Sequence, residues 1–184
     1  MRSTTDIKAA ADVIRKGGII AYPTETLPGL GCLARSEAAI KKLLKIKKRT
    51  AEKGLILLAS KLEQLEPWLA PLDSKLQQKL LLPATTPTTW LVPPSAKTNP
   101  LVQGKHDKLA VRITTHPVAR ELCDLVGETI ISTSANIAGE PAAKSLDEIS
   151  PTIIEQLDLL LIGPEGNRKP SKIRGLVSDQ IIRP

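Results

Sequence analysis

The chain has no phenylalanine, and Tyr22, Trp68 and Trp90 are its only aromatic residues. A platform for stacking the successive bases of a single strand is therefore poorly supplied. Two cysteines occur, Cys32 and Cys123. They stand far apart in apolar surroundings without CxxC spacing, which excludes a disulfide framework and suits two reduced thiols in a reducing compartment. With His106 and His116 as the only imidazoles, a zinc centre is not expected. No apolar run approaches the roughly 18 residues of a membrane span, and the N-terminal MRSTTDIKAAADVIRKGG lacks the apolar core of a signal peptide. There is no GxxxxGK[ST] motif and so no P-loop. Internal repeats and domain-separating linkers are missing too. The expectation is a soluble cytoplasmic protein whose 184 residues form one domain able to bury a core without staples.

Positive charge is what the chain has in excess, with a formal net charge of +7. RNA or phosphate-rich small molecules are natural partners for such a surface, although solvated lysines produce the same count. The most basic run is Lys41 to Lys53, which follows Ser36, a helix N-cap, and Glu37 in the first turn. On a helical wheel Ile40, Leu43, Leu44 and Ile46 form an apolar stripe, and Lys41, Lys42, Lys45 and Lys48 share the opposite face. Lys47 falls inside the apolar stripe. Either the helix ends and this side chain snorkels to water, or it looks into a polar pocket that holds an anion. Because Lys47 sits on a mostly apolar face, removing its charge is expected to leave the fold as stable or more so.

Taken in order, Thr5 caps a first helix that Gly17-Gly18 stops, and Gly18 to Tyr22 reads as a strand buried on both faces. The segment from Pro23 to Ala34 follows as a hydroxyl-rich turn. There Thr24, Glu25 and Thr26 meet a strand's carboxyl end, and Gly29 and Gly31 allow close backbone approach; self-bonding within the turn would explain the hydroxyls equally. Residues 54–59 form a core strand, Ser60 and Glu63 a capping box, and Asp73 caps a helix with Leu76 and Leu80 inward. Thr88 to Val92 is a short strand and residues 95–108 an exposed basic loop. Residues 109–114 alternate, placing Arg112 among small residues, where it either meets a ligand or lies on an exposed edge strand. His116-Pro117 opens a helix through Val126. Thr129 to Thr133 delivers Ser132 to Asn136 into a loop of small polar side chains, satisfied by a ligand or by the loop itself. Ser145 and Glu148 cap a further helix, Leu159 to Ile162 is a strand, and the basic tail carries one or two more. Strands alternate with helices, so the class is α/β with one twisted, mostly mixed sheet flanked by helices.

Five segments together resemble the YrdC/TsaC family of threonylcarbamoyl-AMP synthases, in its short single-domain bacterial type. They are AYPTET with GLGC, LLKIKKRTAEKGLILLA, LAVRIT before His116-Pro117, STSANIAGEP, and PSKIR with the terminal IIRP; in this order they cover nearly the whole chain. The resemblance implies a catalytic tetrad of Lys47, Arg49, Ser134 and Asn136. It implies substrate contacts from Thr24, Thr26 and Arg112, and nucleotide contacts from Ser132, Ser171 and Arg183. It further implies synthesis of L-threonylcarbamoyl-AMP from L-threonine, bicarbonate and ATP, with Mg²⁺ carried on the ATP phosphates and no protein-held metal. The product serves t6A modification of tRNA, so downstream t6A transferase proteins are implied partners, with tRNA or double-stranded RNA as a further one. The chain departs from the family pattern at Leu27-Pro28, at Thr50 and at residues 84–87. The alternative reading, from the net charge and the family's resemblance to proteins that hold structured RNA, is a non-catalytic double-stranded RNA- or tRNA-binding module using Lys41, Lys42, Lys45, Lys48, Lys105, Lys108, Arg168 and Lys169.

Overall fold

The computed structural model describes residues 2–82, 86–167 and 169–184. Its strands are β1 (Ser3–Thr4), β2 (Ile20–Tyr22), β3 (Gly29–Leu33), β4 (Ile56–Ala59), β5 (Thr88–Val92), β6 (Leu109–Ile113), β7 (Ile130–Ser134), β8 (Leu159–Leu161), β9 (Lys172–Gly175) and β10 (Ile181–Arg183). The α-helices are α1 (Ile7–Arg15), α2 (Glu37–Ile46), α3 (Leu62–Leu65), α4 (Ser74–Leu81), α5 (Pro100–Gln103), α6 (Pro117–Val126) and α7 (Pro151–Ile154). Among the described residues the strands make one mixed sheet in the order β1-β8-β2-β3-β7-β4-β6-β5-β9-β10. This is the α/β architecture expected from alternating strand and helix signals.

The two faces of the sheet are treated differently, and the difference makes the site. On one face Ala21, Leu30, Leu57, Val92, Val111 and Ile131 join the larger core, together with Ile40 and Leu43 of α2. On the other, Ile20, Tyr22, Leu58, Ile130, Leu159 and Leu161 pack with Ala10, Ala11 and Ile14 of α1 and with Ala119, Leu122 and Cys123 of α6. Because side chains repeat every second residue along a strand, that second face continues from Ile130 to Ser132 and Ser134, and from Leu58 to Ile56. Arg112 and Ala110 of β6 stand opposite Leu58 and Ile56 in register. There the helices give way and the side chains turn small or polar. A concavity on the sheet is the result.

Several local expectations are corrected. Asp6, not Thr5, caps α1, because its carboxylate accepts from Lys8 and Ala9 N–H while Thr4 Oγ1 accepts from Asp6 N. Ser60 does not pair with Glu63; its N–H donates to Gln64 Oε1 and its hydroxyl reaches Asp124 Oδ1 at 2.6 Å, so it ties α3 to α6. Ser145 makes no cap bond, and residues 146–148 are only a 3-10 turn. The supposed loop 95–108 contains α5, whose Val102 is fully buried. Gly127 follows α6 in the left-handed conformation, φ +77°, as expected of a helix-ending glycine. Ala84 and Thr85 of the departing 84–87 stretch, and Arg168, lie outside the described residues.

The larger correction concerns residues 23–34. Gly29–Leu33 is not a turn but a buried central strand between β2 and β7, concealed because glycine weakens any strand signal. What comes close to Gly31 is protein: an added Cβ would lie 2.7 Å from the Tyr22 ring and 2.9 Å from the Ile131 carbonyl oxygen. Gly31→Ala is therefore expected to destabilise by about 1–3 kcal/mol, the usual cost of overpacking, read as a lowered midpoint in thermal or urea unfolding. An unchanged midpoint would show that Tyr22 can move aside.

Candidate active site

The concavity holds a cavity of about 470 Å³, in the range of small-molecule sites. Its floor is the sheet face just described, with Ser132 and Ser134 of β7, Ile56 and Leu58 of β4, Ala110 and Arg112 of β6, and Leu91 of β5. One wall comes from the β2–β3 connection through Thr24, Thr26, Leu27, Pro28 and Gly29, and another from Arg49, Lys53 and Gly54 beyond α2. The C-terminal strands contribute Ser171, Ile173, Ile182 and Arg183. Of the ten expected site residues, eight line this cavity. Lys47 and Asn136 stand behind it.

Lys47 meets neither of its two expected fates. Helix α2 ends at Ile46 with Lys47 as its C-cap, and the side chain is only 1% exposed. Its ammonium donates to the carbonyl oxygens of Ser134 and Asn136 and to Asn136 Oδ1, while its own carbonyl accepts from Ala138 N. The basic helix thus grips the 134–138 turn at both ends of one residue. Both ends of the Asn136 side chain are engaged in this turn: its oxygen also accepts from Ser134 Oγ at 2.6 Å and its amide donates to Glu140 O at 2.7 Å. Neighbouring Lys48 is exposed and adopts φ +48°, so the wheel's separation of adjacent lysines holds.

Arg49 projects into the cavity. Its Nη2 donates to the carbonyls of Lys53 and Gly54, and its buried Nε has no partner. Such an orphaned guanidinium donor is costly unless something completes it. Arg112 lies on an interior strand between β4 and β5, which removes the edge-strand alternative. It is 6% exposed, with Nη2 and Nε on Thr89 Oγ1 and Nη1 on Thr26 Oγ1 at 3.3 Å. Thr26 Oγ1 lies 3.0 Å from Thr24 Oγ1, whose hydroxyl reaches Leu27 O. From Thr89 the chain of contacts passes to Ser171 Oγ at 2.9 Å, and Ser171 O accepts both Nε and Nη2 of Arg183. The last strand of the protein is thereby locked to the site.

The cations fall into two groups. Burial, with the Arg49 charge beside it, lowers the Lys47 ammonium to about 8. Burial likewise lowers Arg49, Arg112 and Arg183 from the ordinary guanidinium value, with Arg183 adding repulsion at Arg112 and Glu25 opposing it. Cations held at a cost in this way around one cavity mark a place where anions are welcome. Among the described residues no group of three or more His, Cys, Asp or Glu could hold a metal ion. Both cysteines are buried and free, and desolvation pushes the Cys32 thiol up to about 12, which makes it a poor nucleophile.

Sequence reasoning missed Thr89, fully buried and bonded to both Arg112 and Ser171, because a threonine in a strand reads simply as a strand former. It also gave no role to Glu25, whose carboxylate stands 3.6 Å from Arg112 Nη1, and assigned Lys108 to an RNA surface although it lines the cavity.

The Sua5/YciO/YrdC family model, described as "Telomere recombination", matches residues 12–184. The threonylcarbamoyl-AMP synthase of Chromohalobacter salexigens is 42% identical over 184 residues and all of both chains. That of Pseudomonas aeruginosa is 45% identical over 185 residues, again end to end. Among solved structures, P. abyssi Sua5 complexed with L-threonine superimposes with a TM-score of 0.88 at 28% identity; the match takes in all of this chain and 56% of that one. The fold alone is shared with E. coli YciO, at a TM-score of 0.80 and 22% identity over 99% of this chain and 92% of that one. By the family match and full-length relatives at 42–45% identity, the chain belongs to the Sua5/YciO/YrdC family, among its enzymes named threonylcarbamoyl-AMP synthase.

Proposed function

We propose that the protein, acting as one domain, makes L-threonylcarbamoyl-AMP from L-threonine, bicarbonate and ATP and releases pyrophosphate. The observation that carries this reading is one cavity lined by Arg49, with Lys47 buried behind it, and by Arg112 and Arg183, together with five hydroxyls from Thr24, Thr26, Ser132, Ser134 and Ser171. Two anionic reactants that repel each other need such a place to meet. The threonine amine and bicarbonate form a carbamate with loss of water; a carbamate oxygen then attacks the α-phosphorus in line, and the bond to pyrophosphate breaks. Positioning and charge stabilisation supply most of the catalysis in such a transfer.

Arg112, held by Thr26 and Thr89, takes the threonine carboxylate as a bidentate pair. Arg49 turns its guanidinium to phosphate oxygens, and Ser134 moves its one hydroxyl proton from Asn136 Oδ1 to them as charge develops there. Lys47 and Asn136 act from behind, by fixing the Ser134 turn and by the lysine's charge. Ser132, Ser171 and Arg183 border the nucleotide, and Mg²⁺ carried on the ATP phosphates would supply charge screening there. The Sua5 structure solved with L-threonine supports threonine as the amino acid. The product feeds t6A modification of tRNA in the cytoplasm through downstream transferase proteins, and among the described residues no helix is long and apolar enough to cross a membrane. The test is a turnover assay with the three substrates, followed both as pyrophosphate and as threonylcarbamoyl-AMP.

A bare RNA-binding role is weaker, because three of the lysines assigned to it already face carboxylates: Lys41 with Glu37, Lys42 with Asp158 and Lys105 with Glu52. If tRNA or double-stranded RNA is nonetheless a partner, each phosphate contact adds roughly 0.7–0.9 to the slope of log affinity against log salt. Charge reversal at Lys41, Lys42 and Lys45 is then expected to flatten that slope while turnover stays within twofold of the parent. Salt-independent binding removes the RNA reading.

A further inference from the structure

Among the described residues Glu25 is the one carboxylate paired with the site's most buried arginine, and it does not line the cavity. Its Oε1 lies 3.6 Å from Arg112 Nη1, too long for a hydrogen bond, and the two side chains are 14% and 7% exposed. Arg112 takes its geometry from elsewhere, from Thr89 and Thr26. Glu25 is itself fixed. Thr114 Oγ1 donates to its Oε2 at 2.9 Å, its carbonyl accepts from Asn167 N, and the Gly166 backbone packs so closely that an added Cβ would lie 2.2 Å from the Glu25 carbonyl carbon. A carboxylate held so firmly, yet not bonded to the arginine it faces, contributes charge rather than shape.

That charge matters because the charged residues lining the cavity are five cations, Arg49, Lys53, Lys108, Arg112 and Arg183, against one carboxylate, Asp107. Any small anion would be drawn to any of them. With Glu25 behind it, Arg112 is already compensated, so a bare anion placed there leaves the pair of carboxylates with one excess negative charge. A zwitterion brings its own ammonium and restores the balance. We propose that Glu25 is a specificity-determining residue which makes the Arg112 subsite select a zwitterionic amino acid over simple anions, and which keeps phosphate oxygens at the Arg49 side. This rests on the reading of Arg112 as the carboxylate partner of threonine.

The experiment is binding calorimetry with two ligands, L-threonine and 3-hydroxybutyrate, which is threonine without its amine. The parent protein is expected to bind threonine at least tenfold more tightly than 3-hydroxybutyrate. In Glu25→Gln that preference falls about tenfold, chiefly by a gain for 3-hydroxybutyrate, and inorganic phosphate becomes a competitor of threonine. Glu25→Asp, with its charge kept, stays within about threefold of the parent. Should Glu25→Gln lack a cooperative melt, Thr114→Val is read instead, since it removes the hydroxyl that holds the carboxylate toward Arg112, with an expected threefold loss of preference. An unchanged preference in the variant read overturns the proposal. Arg112→Met separates the two levels: if it leaves threonine binding intact, the Arg112 reading itself has failed, whereas its loss of binding beside an unchanged Glu25→Gln preference removes only the selectivity role.

Discussion

Pyrophosphate release by this protein is expected to require ATP, L-threonine and bicarbonate together, and to fall to background when either threonine or bicarbonate is left out. Both must be present because the attacking group is a carbamate assembled from the two; neither alone can offer that oxygen to the α-phosphorus. A binding module with the same fold cannot imitate this dependence, since fold does not carry chemistry and the site does. Threonylcarbamoyl-AMP should appear in step with pyrophosphate, and AMP only later as its breakdown product. Serine is expected to be the poorer substrate by 10- to 200-fold, the range for loss of one methyl contact in an apolar pocket. Leu27, Pro28, Ile56 and Leu58 supply apolar surface in this cavity. Pyrophosphate released at the same rate without threonine would identify some other ATP-cleaving enzyme. No release at all from protein with a cooperative melt would leave only binding.

The parts of this site that were legible in the sequence are those that break a pattern. Lys47 interrupts the apolar stripe of α2, Arg112 sits among small residues in an alternating strand, and Ser132 to Asn136 crowd polar groups onto a strand end. All three mark positions where burial conflicts with residue type, and such conflicts collect at functional sites. What stayed hidden follows the local rules. Thr89 looks like any strand threonine, and the hydroxyl-rich Pro23–Pro28 segment masked the strand behind it because Gly29 and Gly31 lower strand propensity while fitting beneath Tyr22. Even for Lys47 the pattern located the residue but not its partners. Those are carbonyl oxygens 87 and 89 positions away, and no helical wheel carries information about a turn on another strand.

Those partners also reverse one expectation about Lys47. If its charge merely stood on an apolar face, Lys47→Ala would leave the fold as stable or more so. Instead it orphans the Asn136 carbonyl and leaves Ser134 O with only the Asn136 N–H, at a cost of about 1–3 kcal/mol for a buried acceptor left unpaired, visible as a lower urea midpoint. Turnover is expected to fall 10²- to 10³-fold, as when a charge-stabilising donor is deleted, because the Ser134 turn loses its anchor and the phosphates lose a cation. Lys48→Ala, on the exposed side, should keep turnover within twofold. The parent protein offers an independent check through pH. With the folded ammonium at about 8 and the unfolded one near 10.4, turnover should decline as pH rises through 8 and the charge is lost. Over the same interval, from 8 to about 10.4, the folded state binds fewer protons than the unfolded one, so this group's contribution to stability increases with pH. Activity and stability thus part company on the alkaline side. Deprotonation of the threonine amine favours carbamate formation in that range, so the fall cannot come from the amino acid. An alkaline loss of turnover that coincides with unfolding, or equal effects of the Lys47 and Lys48 substitutions, would remove Lys47 from the catalytic machinery.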